Sequence, residues 1–223
     1  MEIIPAIMPR TFGELEEKTG LVKGLARLVQ VDIMDGRLTK HSGWPYKKMP
    51  DPYFEALRNE SRGLPFWEEM DYEFDLMVLN PEEIVKDFVS AGASRIIVHM
   101  ETVSDWQKVV AGLKGSVEIG IAIGVAAPHD ALEPFIADAD FIQCMGIARL
   151  GFQGEPFDER VLDKIREIKK RYPGKIVSVE GGVSLDTAPR LLEAGADRLV
   201  AGSAIFENGD IAEAIEGFKQ LSI

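Results

Sequence analysis

The sequence predicts a parallel (β/α)8 barrel, and three observations carry that reading. Apolar, β-branched runs alternate with amphipathic helical stretches along the whole chain, as in a parallel sheet covered by helices. The last two such units, 176–206 (IVSVEGGVSLDTAPRLLEAGADRLVAGSAIF), place glycines just past two successive strand tips. A length of 223 residues suits one barrel of slightly less than usual size over 1–223, and no break in composition marks a second domain.

Taken in order, Ile3 to Met8 is the expected first strand, stopped by Pro9, with a helix from about Phe12. Leu28 to Met34 (LVQVDIM) is the second strand, ending in Asp35-Gly36. Residues 37–50 form a long polar and aromatic loop, and Asp51 to Leu57 a short helix. Tyr72 to Val78 is the third strand. Asn80 is expected to cap the next helix, with Pro81 at its first position and Glu82 and Glu83 in its first turn. Arg95 to Met100, Ile119 to Val125 and Phe141 to Ile147 follow as strands four to six. A helix from Phe157 to Arg171 then carries an apolar stripe of Val161, Leu162, Ile165 and Ile168.

The seventh strand holds Ile176, Val177 and Val179 and ends at Glu180-Gly181-Gly182. Ser184 reads as the N-cap of the following helix and Gly195 as its C′ residue. Leu199 and Val200 mark the eighth strand, Gly202-Ser203 its tip, and Ile211 to Leu221 a closing helix. Glycines at adjacent strand tips let an anion approach backbone N–H groups with no Cβ in the way. In this barrel type that rim is a phosphate site.

The net charge of −12 argues against a nucleic-acid binder, which needs a basic footprint. An anionic substrate must therefore be held by local amides and a few basic side chains. The single Cys144 forms no internal disulfide, and no apolar run is long enough to span a bilayer, so a cytoplasmic protein is expected. The expected assembly is a homo-oligomer.

Chemistry belongs at the C-terminal ends of the strands. Polar residues there are Gln30 and Asp32, Asp75, His99 and Glu180, on strands two, three, four and seven. Gln30 and Asp32 are two apart and point to one side, while Val31 and Ile33 face the helices. Three carboxylates converging on one mouth repel one another unless a cation or shared protons intervene. The structural alternative is a salt bridge with a loop residue such as Arg37 or Lys40.

These motifs together resemble the ribulose-phosphate 3-epimerase family. The resemblance runs from Pro5-Ala6-Ile7 through VDIMDG at 31–36, DLMVLNPE at 75–82 and VHME at 98–101. It continues through MGIARLGFQGEPF at 145–157, VEGGV at 179–183 and AGSAIF at 201–206. It implies removal of a proton beside a ketose carbonyl and its return on the opposite face, with Asp32 and Glu180 as the two acids. It also implies a phosphate held at Gly151, Gln153 and Gly154, at Gly181 and Gly182, and at Gly202 and Ser203.

The chain departs from the family at several positions. Ala6 stands where the family has serine, Gln30 and Asp75 where it has histidines, and Glu180 where it has aspartate. The family's metal sits on those two histidines and two aspartates, so of the four only Asp32 is unchanged. Gln30, Asp32, Asp75 and Glu180 offer oxygen, a set that suits Mg²⁺ or Mn²⁺ better than Zn²⁺. The alternative is a metal-free site in which Gln30 hydrogen-bonds the substrate. The loop after strand six also differs, with Ala148-Arg149-Leu150 where the family has Asn-Pro.

Other residues have plainer readings. His99 is expected as a hydrogen-bonded core residue, and Met8, Met34, Met77, Met100 and Met145 as an apolar floor. Trp44, Tyr46, Lys47 and Lys48 form either a lid or a solvated, oligomer-facing loop; Arg149 can add a charged contact to substrate. No lysine stands at a strand tip, which argues against a Schiff-base aldolase, and the Asp-x-Lys pattern of the related decarboxylases is missing. Three functions remain: an epimerase or isomerase of a phosphorylated ketose, a phosphosugar lyase or other carbanion enzyme, and a non-catalytic sugar-phosphate sensor. No organic cofactor is expected.

Overall fold

The computed structural model describes residues 1–151, 155–207 and 209–221. Eight parallel strands close into a barrel in the order β1-β2-β3-β4-β5-β6-β7-β8, the fold the sequence predicts. The strands are β1 Glu2–Ile7, β2 Leu28–Met34, β3 Asp71–Met77, β4 Arg95–His99, β5 Glu118–Ile123, β6 Phe141–Met145, β7 Ile176–Glu180 and β8 Arg198–Ala201. The helices are α1 Phe12–Val22, α2 Pro52–Arg58, α3 Val85–Ser90, α4 Trp106–Leu113, α5 Arg160–Arg171, α6 Ala188–Ala194, α7 Ser203–Phe206 and α8 Ile211–Lys219.

Alternation along each strand sorts side chains into two cores. Val29, Val31 and Ile33 of β2 and Phe74 and Leu76 of β3 face outward into the ring of helices, buried with Phe88, Val109 and Ile165. Gln30 and Asp32 face the barrel axis, the register Asp32↔Asp75 sets the acids of β2 and β3 side by side, and Glu180 ends β7. The strands are buried on both faces, which is why they read as continuous apolar runs rather than as alternations.

Several local expectations differ from what forms. Between β5 and β6 only a 3₁₀ turn, His129–Leu132, stands in place of a helix, because Pro128 and Pro134 bracket it and Pro134 has no amide to continue it. The helix expected from Phe157 starts at Arg160. Asn80 does not cap a helix: it takes a left-handed conformation (φ 55°), and its Oδ1 accepts a bond from Ser104 Oγ. Pro81–Glu83 is a 3₁₀ turn ahead of α3. Ser184 is not the N-cap of α6, which is Thr187; it holds the turn ahead of the helix, its Oγ accepting from the Thr187 N–H at 3.2 Å and its carbonyl from Ala188, and Gly195 closes the helix at φ 111°.

The long loop after β2 is partly core. Trp44 is buried edge-on against Phe12 and Phe54, and its Nε1 donates to Asp51 Oδ1, so it is no lid residue. Tyr46 is half-buried, and Lys47 and Lys48 are exposed.

Candidate active site

The mouth at the C-terminal strand ends holds one cavity that joins the glycine rim to the acids. Asp32 and Glu180 line it together with Gly151, Gly181, Gly182, Gly202 and Ser203. Gln153 and Gly154 lie outside the described residues. Met8, Met77 and Met145 line the same cavity, whereas Met34 and Met100 are not among its walls. The turn after β7 is built for glycine. Gly181 (φ 89°) and Gly182 (φ 67°) are left-handed, and a Cβ on either would meet Ile147 at 2.7 Å or the Phe157 backbone at 2.9 Å. Thr187 Oγ1 donates to the Gly182 carbonyl at 2.8 Å and holds the turn against the start of α6.

Beneath that rim, one oxygen each from Asp32, Asp75 and Glu180 lies within 4.8 Å of the others. Asp75 is fully buried and Asp32 nearly so, whereas Glu180 keeps some accessible surface. No lysine or arginine pairs with any of the three among the described residues, so the salt bridge to Arg37 or Lys40 does not form; the Arg37 N–H instead donates to Asp35. Their partners are neutral N–H donors and an imidazole. Gln30 Nε2 donates to Asp32 Oδ1 at 2.8 Å. His99 Nε2 lies 2.8 Å from Asp75 Oδ1, which bears out its reading as a hydrogen-bonded core residue.

The electrostatics follow from that poverty of cations. Burial, then the Asp75 charge, pushes the Asp32 carboxyl up to about 8. Burial and the charges of Asp32 and Asp75 hold Glu180 well above the usual carboxylate range. Burial alone would lower His99, but the charge and hydrogen bond of Asp75 outweigh it and raise it. Three oxygens so placed fit a hard divalent cation. Gln30 fits less directly: its nitrogen faces Asp32, while its Oε1 is buried without a hydrogen-bond partner. Only a turned amide would add that oxygen to the ligand set, and amide orientation is assigned from the bonding network.

Sequence reasoning missed two residues here. Gln143, fully buried on β6, donates to Asp75 Oδ2 at 3.0 Å and to Glu180 Oε2 at 2.9 Å. A lone polar side chain facing inward in FIQCM was the available signal, but it lies one layer below the strand tip. Glu155 lines the cavity beside the glycine turns and pairs with Arg149, its side chain 12% exposed. Arg149 is thus engaged with a carboxylate at the rim.

Comparison with known proteins bears on the family and the fold. The pattern of the Ribulose-phosphate 3 epimerase family matches residues 2–206. The chloroplastic ribulose-5-phosphate-3-epimerase of Arabidopsis thaliana is 32% identical over 226 residues, covering 97% of this chain and 75% of that protein. The ribulose-phosphate 3-epimerase of Bacillus subtilis is 29% identical, with 96% of each chain covered. Among solved structures, a 3-hexulose-6-phosphate synthase from Salmonella typhimurium superposes with a TM-score of 0.71 at 16% identity, covering 99% of this chain and 98% of that one. KGPDC from Streptococcus mutans, in complex with D-R5P, gives 0.71 at 16% identity, covering 98% and 95%. These structural likenesses speak for the barrel; the sequence matches place the chain in the ribulose-phosphate 3-epimerase family.

Proposed function

We propose that the protein is an epimerase of a phosphorylated ketose that works by transferring protons between two acids and one carbon. The observation that carries this reading is a single cavity lined at once by Asp32, Glu180 and the glycine turns at Gly181-Gly182 and Gly202-Ser203. In this reading the phosphate sits on the rim formed by Gly151, Gly181, Gly182, Gly202 and Ser203. The sugar then reaches down between the acids. One carboxylate takes the proton beside the carbonyl while the other, still protonated, delivers one to the opposite face. That division needs the two acids in different protonation states, and the raised values of Asp32 and Glu180 keep protons available near neutral pH.

Asp32, Asp75 and Glu180 would hold the divalent ion, Mg²⁺ or Mn²⁺ in preference to Zn²⁺, joined by Gln30 if its amide turns. Bound there, such an ion supplies Lewis-acid stabilisation of the oxyanion formed beside the deprotonated carbon. The lengthened arm of Glu180 shifts one acid by a methylene relative to the aspartate of the family, so the preferred ketose can differ from D-ribulose 5-phosphate. A cytoplasmic location and assembly of several copies complete the reading.

The test is exchange of substrate-derived protons with D₂O across a panel of pentulose and hexulose phosphates, with and without Mg²⁺ or Mn²⁺. The expected result is inversion with deuterium incorporation for at least one member. Tight binding of several members with no exchange in any of them would replace the enzyme by a sensor.

A further inference from the structure

Each proton-transfer acid has two oxygens, and only one can face the carbon that is inverted. Asp32 has its Oδ1 taken by the Gln30 amide at 2.8 Å. Glu180 has its Oε2 taken by Gln143 Nε2 at 2.9 Å. Gln143 does more than Gln30, because the second hydrogen of the same NH₂ group goes to Asp75 Oδ2 at 3.0 Å on the far side of the barrel. Its carbonyl end is also set: Ser178 Oγ donates to Gln143 Oε1 at 3.3 Å from the neighbouring strand, where Gln143 and Ser178 are register partners. A turned amide would aim its oxygen at two carboxyl groups, so the network favours the orientation that sets Nε2 between Asp75 and Glu180.

We propose that Gln143 is the positioning residue for Glu180, tying its Oε2 to Asp75 through one NH₂ group and so fixing where the carboxyl group stands in the mouth. The inference rests on the epimerase reading and deepens it. Gln143 does not itself line the cavity, so it acts through Glu180 and not on the substrate. A glutamate has one more rotatable bond than an aspartate and, without a fixed inner oxygen, would sample several positions across the mouth. A group displaced by about 1 Å can cost on the order of 10²-fold in rate, which is the scale of effect expected from removing the tie.

The experiment uses Gln143→Met, close in volume but without donors, and Gln143→Glu, which keeps length and an acceptor but at most one hydrogen. The substrate is the ketose phosphate that the panel identifies. For Gln143→Met, kcat for inversion should fall about 100-fold with KM changed less than about threefold. Solvent exchange should be lost on the face served by Glu180 and retained on the face served by Asp32. Gln143→Glu should recover only part of the loss. A Gln143→Met protein that inverts at the full rate overturns the proposal, as does one that loses exchange equally on both faces. Should Gln143→Met fail to fold, Ser178→Ala frees the carbonyl end alone, and it must show the same one-faced loss in milder form or the proposal falls. Absence of turnover in the unsubstituted protein defeats the epimerase reading and this inference with it, whereas an active protein indifferent to Gln143 defeats this inference alone.

Discussion

The barrel holds a cluster of acids at each end, and the two differ in what stands beside them. At the floor, Glu2 and Glu118 meet Arg95 at 3.2 and 3.1 Å and Arg198 at 3.1 and 3.3 Å. Glu73, fully buried, has Arg95 at 3.8 Å, and Arg198 also lies over the Phe141 ring. At the mouth, Asp32, Asp75 and Glu180 have Gln30, Gln143 and His99 but, among the described residues, no guanidinium or ammonium group. The floor arginines bridge the acids of β1 and β5 and so brace the strand ends. On the proposed function, Asp32 and Glu180, beside amides, exchange protons or join Asp75 in holding a cation. Burial still pushes Glu73 up to about 8, although Arg95 and Arg198 both oppose it.

Neutralising one acid at the mouth should break function and spare stability, the largest contrast the comparison offers. Asp32→Asn and Glu180→Gln should each lower turnover by about 10² to 10⁴-fold, the usual worth of a positioned acid or base. Neither should melt below the unsubstituted protein at pH 8, because the amide removes like-charge repulsion and keeps the shape. Turnover measured beside calorimetric melting decides it. A variant that is both inactive and several degrees less stable would show the mouth acids to be structural.

The floor should behave in the opposite sense. Arg198→Met leaves Glu2 and Glu118 with one arginine between them and strips a counter-charge from Glu73. Breaking a buried pair costs about 3–5 kcal/mol; the lower end applies here, because the Glu2 and Glu118 side chains are 40% and 48% exposed. Denaturant unfolding should show that loss, while turnover per folded molecule changes less than about twofold. Unchanged stability would mean that the floor network is balanced by its own desolvation.

How much of this contrast was legible in the sequence depends on how local each signal is. LVQVDIM was readable as β2 to the residue, because burial on both faces gives an unbroken apolar run with a turn signal behind it. The acids at the mouth were readable from parity at the strand tips. Gln143 was not, because its meaning depends on reaching Asp75 on β3, a juxtaposition created only when the sheet closes. Asn80 misled for a related reason: an Asn-Pro pair reads as a helix start, but here Asn80 takes the left-handed conformation and Ser104 occupies its side chain. The β5–β6 connection lost its helix to two prolines whose effect the barrel tolerates.

Stability should also depend on pH through the mouth acids. Asp32 is raised to about 8 and Glu180 is raised well above its ordinary value, so folding favours their neutral forms. That stabilisation is complete below about pH 4, where the unfolded chain is protonated too, and is lost as pH rises toward and through about 8. In chelator, the melting temperature should therefore fall by several degrees between pH 5 and pH 8.5, and Asp32→Asn should flatten the slope. Mg²⁺ or Mn²⁺ should act in the opposite direction, raising the melting temperature more at pH 8 than at pH 6, since it binds the ionised carboxylates. A melting temperature that climbs with pH in chelator would remove the protons from the account.

The smallest expected effect tests whether an arginine neighbour, and not position, decides an acid's role. Glu155 lies at the mouth and lines the cavity, yet it is paired like a floor acid, with Arg149 Nε 3.1 Å from its Oε2 and Nη2 2.5 Å from its Oε1. Engaged with Arg149, it is expected to take no part in the proton transfer. Its formal charge nonetheless stands beside the glycine turns, in a chain of net charge −12, where the proposed function seats the substrate's phosphate. Glu155→Gln should therefore leave kcat within about twofold and lower KM by about threefold, the scale of one partly screened charge. The gain should shrink as salt is raised, because screening already removes the repulsion in the unsubstituted protein. Steady-state kinetics at low and high ionic strength measure both. A large loss of kcat in Glu155→Gln would place a third proton carrier in the cavity and end the division between arginine-paired and amide-paired acids. A raised KM would instead show that the Arg149–Glu155 pair holds the rim in shape for the phosphate, and that its order matters more than its charge.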